Sequence, residues 1–145
     1  MLRTWFTVCL LFLLMPVGIA AQSKKMPKPT EPPVELPSGL KYWNVKVGTG
    51  LRAINGSRCA VHYTGWLKSG RKFDSSYDAG RPYAFEIGKH QVIKGWEEGV
   101  RGMRVGGRRI LQVPSEMGYG SQNMGEGTIP PNSILVFEIE LLAVD

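Results

Sequence analysis

Val92-Ile93-Lys94-Gly95-Trp96-Glu97-Glu98-Gly99 sets a large indole just after two β-branched aliphatic residues, where strand-like patterning gives way to helical spacing. Beyond it, Trp96, Val100 and Met103 recur at i, i+4 and i+7, so the spacing predicts a helix from Ile93 to about Met103 with one apolar stripe. The glycines in this run make the helix weak in isolation, and packing must hold it. An aromatic side chain at its head can floor an apolar pocket.

Outward from this segment the dominant period is two. Leu40 to Val47 roughly alternates before the Gly48-Thr49-Gly50 turn, and a second strand is predicted from Arg58 to Lys68. Shorter strands are expected at Tyr83 to Ile87 and Arg108 to Val113. The last runs from Ile134 to Val144, with Leu135, Phe137, Ile139 and Leu141 on one face. Several strands and a single short helix give an α+β domain, an antiparallel sheet wrapped around the helix with the pocket between them.

The 145 residues, 43% hydrophobic and 21% charged, suit one ordinary globular core plus appendages. Arg3, the apolar run Phe6 to Met15 and the small residues Gly18-Ile19-Ala20-Ala21 read as a signal peptide over residues 1–21. Pro16 and Gly18 end that run, which is short for a bilayer, so no stable membrane span is expected after cleavage. Export places the mature chain in a periplasm, a secretory pathway or another lumen. Residues 22–36 are expected to form a Pro-rich flexible tether, and residues 37–145 the folded domain. A tether of this composition cannot supply a helical dimerisation arm, so a monomer is the default.

Without the leader, seventeen Lys/Arg face twelve Asp/Glu, a moderate basic excess. Apart from Lys24, Lys25 and Lys28 and the group Arg101, Arg104, Arg108 and Arg109, the charges are scattered, whereas a nucleic-acid surface wants basic residues interleaved with exposed aromatics on one face, and export removes the chain from nucleic acid. Cys59 is then the only cysteine, so an internal disulfide is excluded. It shares a strand face with Val61 and Tyr63, which predicts a packed thiol. His62 falls on the opposite face, away from Cys59, so the two do not form a nucleophile pair. Neither histidine belongs to a cluster with metal-ligand spacing, and no metal is expected. The sequon Asn55-Gly56-Ser57 lies in a predicted turn.

Further blocks accompany the Trp96 segment: Val61-His62-Tyr63-Thr64-Gly65, Phe73-Asp74-Ser75-Ser76, Gly118-Tyr119-Gly120, Ile129-Pro130-Pro131 and Leu135-Val136-Phe137-Glu138. In this order they resemble the FKBP-type peptidyl-prolyl cis-trans isomerases over residues 36–145. The resemblance implies an antiparallel half-barrel on one short helix, no cofactor, and proline-containing polypeptides as substrates. It also implies binding of macrolide immunosuppressants in the same pocket. Matched position by position, Tyr63, Phe73, Asp74, Trp96, Tyr119 and Phe137 are the implied catalytic residues, with Tyr83, Val92, Ile93 and Ile129 lining the substrate site.

The family pattern is not matched everywhere. Tyr83 stands where phenylalanine is frequent, and Ala79 where an arginine is common, which leaves Arg81 to pair with Asp74. Thr128 replaces an aliphatic residue in the glycine-rich loop from Gly120. The leading expectation is an exported isomerase that assists folding. The alternative is a non-catalytic module of the same fold that holds a proline-containing loop of one partner.

Overall fold

The computed structural model describes residues 24–145. The signal peptide expected at residues 1–21 lies outside the described residues. Seven strands form one antiparallel sheet: β1 (Val34–Glu35), β2 (Lys41–Lys46), β3 (Arg58–Leu67), β4 (Lys72–Ser75), β5 (Tyr83–Glu86), β6 (Arg108–Val113) and β7 (Leu135–Val144). Their order is β1-β2-β6-β7-β3-β4, with β5 also on β3. The sheet is open and curls around α2 (Lys94–Val100). A second, one-turn helix, α1 (Ser76–Ala79), was not expected.

Strand β3 has two neighbours on one side. Its first half, from Arg58 to Val61, pairs with β5, and its second half, from Thr64, pairs with β4. Between them the chain leaves the sheet through α1, capped by the Ser75 hydroxyl at one end and by Gly80 in the left-handed conformation (φ 71°) at the other. The backbone N–H of Tyr63, which has no strand partner on this side, donates instead to Ser76 Oγ at 2.8 Å. The pocket opens at this split in the sheet.

Along β7 the alternation holds: Leu135, Ile139 and Leu141 are fully buried and Phe137 is 3% exposed. With Val61, Leu111, Val113 and Val100 they build the core between sheet and helix. Each large apolar side chain so removed from water contributes about 1.5–3 kcal/mol before entropy is counted. Helix α2 is shorter than the apolar stripe suggested. Arg101 leaves the helical region (φ −56°, ψ 127°), and Gly102 N–H and Met103 N–H donate to Ala53 O and Val100 O. Met103 is nevertheless buried and completes the stripe.

Residues 24–36, expected as a free tether, are seated on the sheet. Val34–Glu35 pair with β2, and Met26 packs on Trp66, Ile110 and Val136. The reason is a second apolar cluster on the outer sheet face, which composition alone did not reveal because it comes from three separate strands.

Cys59 is 1% exposed, and burial, with weaker repulsion from Asp145 and Glu97, pushes its thiol up to about 11. The native state therefore holds this proton where an unfolded thiol, near 8.5, has lost it. Its contribution is complete below about pH 8.5 and is lost as pH rises toward 11. Denaturant titrations should show stability falling across that window, and the early part of the fall should flatten in Cys59→Ala. Identical slopes in both proteins would refute the assignment.

Candidate functional site

A pocket of about 410 Å³ lies between the helix and the split sheet. Trp96, in the first turn of α2 and 5% exposed, is its floor. Four rings surround the indole: Tyr63 at 4.7 Å, Phe137 at 5.4 Å, Phe85 at 5.8 Å and Tyr83 at 6.0 Å between centroids. Three of them, all but Phe85, meet it edge-on, at 78–86°. Phe73 in turn meets Phe137 at 5.7 Å and 88°. Edge-to-face contacts of this kind are worth about 0.5–1.5 kcal/mol each beyond their buried area and fix ring orientation.

Gly65 is what lets two of these rings converge. A Cβ there would stand 2.7 Å from Phe73 Cζ and 2.9 Å from Phe137 Cε1, closer than any side chain tolerates. The Trp96 Nε1 proton has no hydrogen-bond partner among the described residues.

Polar groups sit at the mouth. The Tyr63 hydroxyl donates to Asp74 Oδ2 at 2.5 Å, and Ser75 N–H donates to Asp74 Oδ1 at 2.8 Å. The carboxylate is exposed yet fixed in direction. Arg81, the partner expected from its position in the sequence, makes no ion pair with Asp74; the tyrosine hydroxyl holds the aspartate instead. Burial, reinforced by Asp74, holds the Tyr63 phenol far above its ordinary range, and burial does the same, more weakly, to Tyr119. Both hydroxyls keep their protons at neutral pH.

Of the residues read from the sequence, Tyr63, Phe73, Asp74, Tyr83, Val92, Ile93, Trp96, Tyr119 and Phe137 converge on this pocket. Ile129 does not. It is 7% exposed within the core and bridges to Met124, closing the base of the loop that follows Tyr119. Two lining residues carried no sequence signal, His90 and Gln91. They stand on the rim because Glu97 accepts from the N–H groups of Gly88 (2.6 Å) and His90 (3.2 Å), and Gln91 Oε1 accepts from Glu86 N–H (3.0 Å).

His62 turns away, with Nδ1 2.8 Å from Ser76 Oγ and its ring stacked on Tyr77 at 4.3 Å. It is a framework residue. Among the described residues no three His, Cys, Asp or Glu side chains group closely enough to hold a metal ion, and no helix is long and apolar enough to cross a membrane.

An open antiparallel sheet curled on one short helix, with an aromatic cup between them, defines the α+β class of this protein. The sequence profile of FKBP-type peptidyl-prolyl cis-trans isomerases matches residues 50–142. An FK506-binding protein of Neisseria meningitidis serogroup B is 52% identical over 106 residues, 73% of this chain and 96% of that one. A peptidyl-prolyl cis-trans isomerase of Saccharomyces cerevisiae is 52% identical over 95 residues, 65% of this chain and 70% of its own length. The crystal structure of AtFKBP13 superposes with a TM-score of 0.72 at 39% identity, covering 78% of this chain and 98% of that one. The chain belongs to the FKBP-type peptidyl-prolyl cis-trans isomerase family.

Proposed function

We propose that this isomerase seats a substrate proline on Trp96, walled by Tyr63, Phe73, Val92, Ile93 and Phe137, and assists folding of exported proteins. The observation that carries the reading is the indole floor held by edge-on rings in a cup of about 410 Å³. Rotation about an X-Pro amide faces a barrier of about 18–20 kcal/mol, because resonance gives the C–N bond partial double-bond character. In the twisted transition state that resonance is lost and the carbonyl is less polar. A dry aromatic cup removes the solvent hydrogen bonds that stabilise the planar amide, and contacts fitted to the twisted form lower the barrier.

No covalent step is needed. The Tyr119 hydroxyl donates to a substrate carbonyl, Tyr83 closes the wall, and Asp74 at the mouth biases the carbonyl electrostatically. Macrolide immunosuppressants would occupy the same cup and compete with peptide.

Isomerisation rates of X-Pro peptides, by protease-coupled or NMR exchange measurement, test this. Tyr63→Phe keeps the ring but frees Asp74 Oδ2, with Oδ1 still held by Ser75 N–H, and is expected to retain the fold while slowing turnover by no more than about tenfold, the size of one hydrogen bond of about 1.4 kcal/mol. Asp74→Leu should do at least as much. Full activity in both would remove the mouth from the mechanism. Because both phenols are held above their ordinary range, neither should give the rate an alkaline limb below about pH 10.

For export, the supporting features are the apolar leader and the small residues ending at Ala21. Mass spectrometry of the protein recovered outside the cytoplasm should show Gln22 at its N-terminus. An intact Met1 in that fraction would overturn this part.

A further inference from the structure

The sheet face away from the isomerase pocket carries Trp66, Ile110 and Val136, exposed by 1%, 5% and 5%, with Trp43 packed beside them. What covers this face is the chain's own segment from Lys24 to Glu31. Two indoles hold it: Trp66 Nε1 donates to Lys24 O at 3.1 Å, and Trp43 Nε1 donates to Glu31 O at 2.8 Å. Between and just beyond these anchors stand Pro27, Pro29, Pro32 and Pro33.

Proline fixes φ near −65° and lacks an N–H, so such a segment is predisposed to polyproline II, whose carbonyls stay free for outside donors. An aromatic surface offering donors to those carbonyls is the means by which proline-rich segments are recognised. The built-in occupant is seated at Met26 and at its two carbonyl anchors but leaves space along Pro27–Glu31. A cavity of about 510 Å³ remains between Pro27–Glu31 and the floor of Trp43, Val45 and Ile110. That is within the range of about 300–1,000 Å³ typical of ligand sites.

We infer that this outer face is a second, non-catalytic binding surface for proline-rich polypeptides, on which residues 24–33 act as an exchangeable internal ligand. It shares no residue with the isomerase pocket, so it stands or falls independently of that site.

The test uses the protein labelled with ¹⁵N at its indoles, with Trp43, Trp66 and Trp96 signals assigned by single Trp→Phe variants. The probe is a synthetic peptide of residues 24–33, added in trans. The tethered segment competes at an effective concentration of about millimolar, so the peptide must reach that range. Dose-dependent shifts of the Trp43 and Trp66 signals are expected, with none from a control peptide whose prolines are alanine. Pro27→Ala/Pro29→Ala in the protein should weaken the internal ligand and lower the half-saturating peptide concentration several-fold. No shift at either indole, a shift of Trp96 alone, or equal shifts from the control peptide would overturn the inference.

Discussion

Phe137→Ala is expected to cost about 3–5 kcal/mol of stability, the range for truncating a buried phenylalanine, and to slow X-Pro isomerisation by more than about tenfold. Two roles meet in this side chain. On β7 it is 3% exposed and belongs to the same inward row as Leu135, Ile139 and Leu141. In the pocket its ring stands edge-on to both Trp96 and Phe73. Truncation therefore opens a cavity and releases both the floor and one wall. A domain of this size has about 5–15 kcal/mol of stability, so the variant should remain folded at low temperature, where the rate is read. Phe137→Leu separates the roles, since it keeps most of the volume and should cost less than about 1.5 kcal/mol. If Phe137→Leu turned over at the wild-type rate, ring orientation would not matter to catalysis and only filling of the pocket would.

The reach of the sequence follows the regularity of each signal. β7 alternates along most of its ten residues and β3 along its first half, so these faces could be read before any coordinates, whereas Thr64, Gly65 and Trp66 are buried in succession. Trp96, Val100 and Met103 announced the buried stripe of α2. β4, Lys72 to Ser75, has a single apolar residue, Phe73, and so no alternation to mark it, whereas β5, equally short, shows Tyr83, Phe85 and then Ile87 on one face. α1 is one turn long and is set by a serine cap and a glycine stop, not by an apolar stripe. The seating of residues 24–36 could not be foreseen either, because its receptor is assembled from Trp66, Ile110 and Val136 on three different strands.

The same holds inside the pocket. The aromatic residues were legible because ring size and order along the chain are properties of sequence. Partner choice was not. Arg81 is seven residues from Asp74, yet the aspartate is claimed by Tyr63, which lies on the neighbouring strand β3 two residues from Asp74's register partner Gly65. His90 and Gln91 reach the rim through hydrogen bonds at Glu97 and Glu86, which no local pattern encodes. Ile129 shows the converse. It is apolar and adjacent in motif, but its side chain is used by the core.

Gly95→Ala is expected to destabilise the protein by about 1–3 kcal/mol and to reduce isomerase activity, although alanine is the better helix former by nearly 1 kcal/mol. Packing decides the sign. A Cβ at position 95 would lie 2.5 Å from Val113 Cγ1 and 2.8 Å from Cγ2, and Gly99 stands in the same relation to Leu111. Both Val113 and Leu111 are fully buried on β6, packed within the core. The added methyl group must therefore push α2 off the sheet. Trp96 is the next residue along the helix, so the displacement is delivered directly to the pocket floor, and turnover should fall along with stability. Shortening the obstacle supplies the control. Val113→Ala alone should cost stability by leaving a cavity. Combined with Gly95→Ala, the two losses should be less than additive, because the new methyl group occupies the space vacated, and contacts of this kind show coupling of about 0.5–3 kcal/mol. Recovery of activity in the double variant would show that the approach of helix to sheet sets the height of the indole floor. Strict additivity, with activity unchanged in Gly95→Ala, would show that Trp96 is positioned by its ring neighbours alone.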